Sequence, residues 1–392
     1  MALLSVAEAL ERVLAHAAPL PAEHAALSEA YGRVLTDDLK ALRTQPPANV
    51  SAMDGYAVRA ADVTHASVRL KVIGEVAAGR PFAQTVGPDQ AARIFTGGVL
   101  PAGADTVVIQ EFTKRNGDWV DIQGPTARGR HIRAEGLDFK AGDVLLSAGR
   151  RLTTRDLALA AAMNHPRIPV HRRPKVAIFA TGDELVPPGT QPQPGQIVSS
   201  NTFALAALAR AEGADVADTV AAVRGARERR ADILVTSGGA SVGEYDLVQS
   251  ALAAEGVELS FWKLALRPGR PLMHGRLGAI QVLGVPGNPV SAFVCALLFM
   301  VPLIRRLAGR NDTATRTEIA ALGCDLPEND ERADYLRATL KNGADGPVAT
   351  PFSVQDSSMM APLAKADCLV IREPYSPAAK AGSPCTIMRL AV

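Results

Sequence analysis

Between residues 172 and 310 a short apolar run breaks three times into a glycine-rich polar turn: VAIFATGDEL (176–185), ADILVTSGGASVGEYD (231–246) and AIQVLGVPGNPVSAF (279–293). Apolar runs of this length bounded by Gly and Pro read as buried strands. Helical stretches between them predict a doubly wound, mostly parallel α/β sheet over 172–310. Upstream, MALLSVAEALERVL reads as an amphipathic helix with Ser5 and Glu8 spaced as a capping box, followed by a loop and an extended arm to residue 44. RLKVIGEVAAG, RIFTGG and DTVVIQEF read as strands between Gly/Pro turns, and Asn116–Gly117 predicts a hairpin. Helical patterning returns over 133–171, with Thr153 or Thr154 capping DLALAAAMNH. The fold class expected is multi-domain α/β. An elongated helical and extended N-terminal domain (1–44 plus 133–171) is interrupted by a β-rich inserted domain (45–132). The α/β domain (172–310) then leads into a small C-terminal β-barrel or sandwich (311–392), with turns at NGADGP and SPAAKAGSP.

One spacing conflicts with this regularity. DVADTVAAV (215–223) reads as a strand, yet only Arg224 to Ala231, eight residues, precede the next one. A parallel crossover takes roughly a dozen or more residues. Either the first run is not a parallel neighbour of the second, or a segment has been lost; the regularity of the rest favours loss.

Composition narrows the function classes. A chain of 392 residues that is 47% hydrophobic and 21% charged can bury large cores. Its formal charge of +2 gives no electrostatic case for binding nucleic acid or a membrane surface. The basic cluster Arg224, Arg227, Arg229 and Arg230 reads as a solvated helix face. Cys295, Cys324, Cys368 and Cys385 are scattered, without metal-ligand spacing. The N-terminus has no signal-peptide pattern. The run VSAFVCALLFMVPLI (290–304) is short for a bilayer span and follows a turn, so it reads as a buried helix. A soluble, cytoplasmic protein is expected.

In an open α/β sheet, ligands sit at turns beyond the carboxyl ends of the strands. Glycines there let backbone N–H groups approach an anion, and a following helix N-terminus adds positive potential. Asp183, Glu184 and Asp246 in the same turns would repel a bare phosphate, which suggests a bridging Mg²⁺. The turn after the second run offers N–H groups of Gly238 and Gly239 and hydroxyls of Ser237 and Ser241. Pro286, Gly287, Asn288 and Pro289 form a rigid strand-to-helix turn, and FWKLALRPGRP brings Lys263, Arg267 and Arg270 near a strand end. The GxSxG at Gly239–Gly243, with Asp246 and His274, also allows a serine hydrolase reading with Ser241 as nucleophile. Asp246 lies only one turn from the serine, however, whereas a hydrolase acid comes from a later strand end. No Walker A or GxGxxG sequence is present.

Taken together, SAMDGYA, IFTGGxLPAGAD, RxxGxDxxAGD, TGDEL, SNT, TSGGxSVGEYD, FWKLxxRPGRP and GVPGNPVSAF, in this order, resemble the molybdopterin molybdenumtransferases of the MoeA family, which are also similar to the E domain of gephyrin. The resemblance runs from the N-terminal helix to residue 392. It implies a homodimer whose site lies between the β-rich domain of one subunit and the α/β and C-terminal domains of the other. It also implies a reaction in which adenylylated molybdopterin and molybdate give molybdenum cofactor and AMP with Mg²⁺. By motif match, Asp54, Thr96, Asp138 and Glu184 would handle metal and adenylate, with Asp54, Glu184 and Asp246 as metal ligands. Thr181, Gly182, Asp183, Ser237, Gly238, Gly239, Ser241, Asp246 and Pro286–Pro289 would hold the pterin and nucleotide phosphates. Lys263, Arg267, Arg337 and Ser357 would bind molybdate. A contact with molybdopterin adenylyltransferase, which shares the TSGG turn, is a further implication, and a gephyrin-like scaffold is the non-enzymatic alternative. Two departures stand out: Arg267 occupies a position where lysine is common, and the region after Asp218 is shorter than the family pattern.

Overall fold

The period-two alternation of the apolar runs is visible in how the central sheet divides its side chains. Val176 and Ile178 face one buried cluster and Ala177 the other; Ile233 and Val235 oppose Leu234; Leu283 and Val285 oppose Val282. Helices cover both faces, as a doubly wound sheet requires. The structure is a computed structural model that describes residues 3–65, 67–217, 223–228, 230–238 and 252–390. The strand order in this sheet is Asp215–Ala217, Lys175–Ala180, Ile233–Ser237, Ile280–Val285, Pro271–Leu277, Glu258–Lys263. The first four are mutually parallel and the fifth is antiparallel to both its neighbours.

This order answers the spacing conflict in part. Asp215–Ala217 pairs with Lys175–Ala180 and not with Ile233–Ser237, so the two runs are not hydrogen-bonded neighbours. The described part of the strand is Asp215–Ala217, and Val223, the last residue of the first run, begins the helix Val223–Glu228. Residues 218–222, where a lost segment would have joined, lie outside the described residues.

The helix Pro289–Leu307 is apolar all round and 19 residues long, so length and composition alone would let it cross a membrane, contrary to the sequence expectation. Burial decides the matter, because 83% of its most apolar 18-residue window is inside the protein. Its middle turn, Ala296–Met300, is a π-helix. Pro302 follows, whose ring would crowd the carbonyl four residues back in a regular α-helix.

The N-terminal helix Val6–Ala15 carries the expected capping box, with Glu8 N–H donating to Ser5 Oγ at 3.2 Å. Its buried face, Ala9 and Val13, joins the α/β core and not the N-terminal arm. Arg306 Nε donates to Ala17 O at 3.0 Å, and Leu20 N–H to Leu307 O at 2.8 Å. The arm itself pairs with the later segment: Ala22–Ala26 runs antiparallel to Arg167–His171, and Leu39–Lys40 to Val144–Leu146. Leu35, Leu39, Phe139, Leu146, Met163 and Ile168 bury each other between them. Thr153 caps the helix Thr154–Ala162 with Asp156 as its reciprocal partner.

Between these segments lies a six-stranded sheet in the order Thr106–Ile109, Gly55–Val58, Gln90–Ile94, Val68–Val76, Trp119–Ile122, Thr113–Asn116. The predicted hairpin forms, with Asn116 paired to Trp119, so its central residues are Gly117 and Asp118. Gly117 has φ +60 at the first central position, as a type II′ turn requires. In the C-terminal region, Glu318–Leu322, Ala333–Gly343, Gly346–Pro351, Cys368–Arg372 and Pro384–Arg389 pair around a closed ring. Ala320, Leu322, Ala338, Ala349, Val370 and Ile387 bury one another in it, giving a barrel and not a sandwich. Leu266–Arg267 adds a short parallel strand to its side.

Candidate functional site

The register of the three central parallel strands sets Ala180, Ser237 and Val285 side by side, so the three turns leave the sheet at one level. Thr181 N–H donates to Ser237 O at 3.0 Å and Gly238 N–H to Val285 O at 3.2 Å. The strand ladder therefore runs on into the turns. Gly238 has φ +93, and a Cβ there would stand 2.5 Å from Thr181 O, so glycine is needed both for the conformation and for the close approach. Asn201, the first residue of the helix Asn201–Ala211, ties the turns together: its Nδ2 donates to Ser237 Oγ at 2.9 Å and to Gly287 O at 2.7 Å. Asn201 lies in the SNT motif but had no site role in the sequence reading; its partners are 36 and 86 residues away.

These contacts revise two roles. Ser237 is buried at 3% exposure and its Oγ accepts from Asn201, so this side chain braces the turn. Thr181 Oγ1 is likewise buried, packed toward Gly238, with no hydrogen-bond partner among the described residues. Gly182, Asp183 and Glu184 remain exposed at the rim. Gly182 has φ +145, and a Cβ on it would lie 2.4 Å from Glu184 Oε2, so the carboxylate folds back over the glycine. Gly239, Ser241 and Asp246 lie outside the described residues.

Pro286 is buried, and Gly287 and Asn288 are exposed. Asn288 occupies the N-cap position of the following helix, with Pro289 behind it, but its side chain makes no cap hydrogen bond. Its Nδ2 donates instead to Ser357 Oγ at 2.9 Å, while Val290 N–H donates to Ser357 O at 3.0 Å. The barrel loop is thereby fastened to the third turn.

Arg337 holds that loop from below. Among the described residues it is the most buried charged side chain, at 1% exposure. Nη1 donates to Met359 O at 2.8 Å, Nη2 to Asp356 O at 2.9 Å, and Nε to Gln355 Oε1 at 3.3 Å. With its donors spent on the loop, it shapes the surface where the sequence reading had it face an oxyanion. Arg267 is similarly committed. Its Nε donates to Asp334 Oδ1 at 2.6 Å, and its head group reaches Asp330 at 3.0 Å and Asn329 at 3.1 Å. Donating to the Asp334 carboxylate raises the guanidinium's pKa further. A cavity of about 550 Å³ opens beside it, walled by Leu336, Phe352 and Gln355 among others. Lys263 is exposed at the end of Glu258–Lys263. Two antiparallel steps across the sheet place it on the same rim as Val285.

Asp54, Thr96 and Asp138 stand apart from these turns. Asp54 Oδ1 accepts from Thr96 N–H at 2.7 Å and Thr96 Oγ1 at 2.8 Å, within the β-rich sheet region. Those two bonds, the backbone one foremost, lower the Asp54 carboxyl's pKa. Asp138 is exposed, with its N–H on Gln45 O at 3.0 Å. Among the described residues no hydrogen bond connects this group to the three turns, and no cluster of three or more His, Cys, Asp or Glu side chains could cage a metal. The exposed carboxylates Asp183 and Glu184 are oxygen donors of the kind that would suit a Mg²⁺ keeping several of its waters.

His274 does not fit the hydrolase alternative. It is buried mid-strand opposite Leu283, and its Nε2 lies 3.2 Å from Gln281 Oε1. Gln281 pairs with Ile233, at the opposite rim from Ser237, about 13 Å away along the strand. Burial lowers the imidazole's pKa, which keeps it neutral.

The described geometry matches known proteins over the whole chain. Family models match as "MoeA N-terminal region (domain I and II)" over residues 4–164, "Probable molybdopterin binding domain" over 177–306, and "MoeA C-terminal region (domain IV)" over 320–390. A molybdopterin molybdenumtransferase of Haemophilus influenzae is 33% identical over 94% of both chains. One from Nostoc sp. is 41% identical over 71% of this chain and 68% of its own. A solved molybdopterin biosynthesis MoeA protein from Pyrococcus horikoshii OT3 superposes with a TM-score of 0.79 at 28% identity, covering 99% of this chain and 100% of that one. The chain belongs to the MoeA family of molybdopterin molybdenumtransferases.

Proposed function

We propose that this transferase of molybdenum cofactor biosynthesis takes adenylylated molybdopterin and molybdate, cleaves the adenylate and releases AMP in a Mg²⁺-dependent reaction. The observation that carries the reading is the meeting of the three turns at Ala180, Ser237 and Val285, bridged by Asn201 and fastened to the barrel through Asn288 and Ser357. The N–H groups of Gly182, Gly287 and Asn288, which the strand ladder leaves over, face the pterin and nucleotide phosphates, whereas those of Thr181 and Gly238 are spent on the ladder; Gly239, Ser241 and Asp246 complete that set. Glu184 and Asp246 hold Mg²⁺ together with Asp54, and the ion neutralises charge on the phosphates when bound. The remaining work is positioning, with no covalent protein intermediate. Lys263 and Ser357 receive the molybdate dianion, on a surface set by Arg337 and Arg267.

Asp54, Thr96 and Asp138 reach this site from the second subunit of a cytoplasmic homodimer, which accounts for their separation from the turns within one chain. The four-part division at residues 44/45, 132/133, 171/172 and 310/311 is the domain plan behind that arrangement. A molybdopterin adenylyltransferase is the partner that would deliver the substrate. The test is AMP release from adenylylated molybdopterin with and without molybdate and Mg²⁺. Asp54→Asn and Glu184→Gln are expected to abolish release with the fold intact, and wild-type turnover in both would overturn the assignment.

A further inference from the structure

Arg93, on the strand Gln90–Ile94, holds the two carbonyls that follow the Asp54 side chain, that of Gly55 directly and that of Asp54 through Gln110. Its Nη1 donates to the carbonyl of Gly55, the residue after Asp54, at 3.1 Å. Its Nη2 donates to Gln110 Oε1 at 2.8 Å, and Gln110 N–H in turn donates to Asp54 O at 3.0 Å. The guanidinium carbon lies 4.8 Å from the centre of the Phe95 ring and 5.3 Å from that of Tyr56. Phe95 immediately precedes Thr96, whose N–H and hydroxyl both bind Asp54 Oδ1. A single cation thus contacts the neighbours of both members of the Asp54–Thr96 pair. Arginine suits the task because its planar fork donates in two directions while its face lies against aromatic rings, which a lysine ammonium cannot do at once.

We infer that Arg93 is a positioning residue, which fixes the direction in which the Asp54 carboxylate is presented to the reacting centre. The inference rests on the reading that Asp54 and Thr96 take part in the transfer. With Oδ1 held by Thr96, the free lone pairs of Asp54 point where the backbone at residues 54 and 55 directs them, and Arg93 holds the Gly55 carbonyl of that backbone directly and the Asp54 carbonyl through Gln110. Without it the carboxylate keeps its Thr96 bonds but loses its fixed approach. Misplacement of this kind, by about 1 Å, lowers turnover up to about a hundredfold.

The experiment compares Arg93→Met, Arg93→Lys, Thr96→Ala and Arg93→Met/Thr96→Ala in AMP release, alongside amide exchange at Gln110. Arg93→Met is expected to lower kcat about tenfold to a hundredfold, with KM for adenylylated molybdopterin within about twofold of wild type. Exchange at the Gln110 amide is expected to accelerate. Arg93→Lys, the variant to use should Arg93→Met fail to fold, recovers only part of kcat because it replaces the fork with a single point of attachment. In the double variant the two losses should fall short of multiplying, since both act on one carboxylate. Wild-type kcat with unchanged Gln110 exchange, or fully multiplicative losses, would overturn the inference. Asp54→Asn run in parallel separates the cases: full activity there removes the underlying reading, whereas an inactive Asp54→Asn beside an active Arg93→Met removes only the role of Arg93.

Discussion

Asn288 and Ser357, 69 residues apart, meet at 2.9 Å where the third turn of the α/β sheet touches the barrel loop. Each is one side of a joint that places a barrel hydroxyl beside the amide-rich rim. Ser357→Ala is expected to raise the KM for molybdate several-fold while shifting stability by no more than about 1 kcal/mol, because the groups it frees can take water. Initial rates over a molybdate series, with a denaturant curve, check this; an unchanged molybdate dependence would show that the hydroxyl serves only the joint.

Arg337 supplies the underside of the same loop. Arg337→Met keeps much of the side chain's bulk but removes the donors to Gln355, Asp356 and Met359. A destabilisation on the order of 3 kcal/mol is expected, since the loop acceptors lose charge-assisted bonds. Denaturant unfolding followed by a probe in the C-terminal region measures it. A change below about 0.5 kcal/mol would mean that water replaces the guanidinium without loss.

Asn201 offers a sharper probe of the rim. In Asn201→Asp the group that donates to Gly287 O becomes an acceptor, and a negative charge is added beside the proposed phosphate position. AMP affinity, read by calorimetry, is expected to fall at least tenfold, with Asn201→Ala weakening it less. Equal affinity in both variants and wild type would place the nucleotide elsewhere.

The acid limb of stability should depend on Glu212. Burial alone would raise this carboxyl's pKa, but hydrogen bonds and charge from Arg305 and Arg310 carry it below its ordinary value of 4.5. A lowered folded pKa means that the stabilisation is fully present above about pH 4.5 and is lost as pH falls through the folded value. Glu212→Gln should therefore flatten part of the stability loss below pH 4.5. At neutral pH it should cost about 1–3 kcal/mol, because the buried Arg310 and the partly buried Arg305 lose a shared partner while Arg310 keeps Asp312. Melting temperatures of both proteins between pH 3 and 7 decide it; parallel curves would exclude Glu212 as the titrating group.

What the sequence made legible was local. Strand-and-turn punctuation, the Ser5–Glu8 capping box and the hairpin at Asn116–Gly117 all involve residues within a few positions of each other, where backbone sterics and period decide the outcome. The convergence of three turns was also readable, because the rule for parallel sheets fixes which strand ends carry ligands. Partners far apart in the chain were not. Nothing near Arg267 announces Asp330 and Asp334, 63 and 67 residues on, so a committed cation read as an open one. The amphipathic pattern of Val6–Ala15 shows that one face is buried but not which core receives it. Spacing likewise could not tell that Lys175–Ala180 lies between Asp215–Ala217 and Ile233–Ser237, since sequence order and spatial order differ.

Leu266–Arg267 leaves the α/β sheet and adds itself to the barrel alongside Ala333–Asp334, with Arg267 capturing Asp334. The barrel is consequently not an exchangeable cassette. A chimaera joined only in the linker before Glu318 would inherit one partner's Asp334 and the other's loop, and the two need not match in length or charge. Grafts between relatives have to carry the segment around Arg267 together with the barrel.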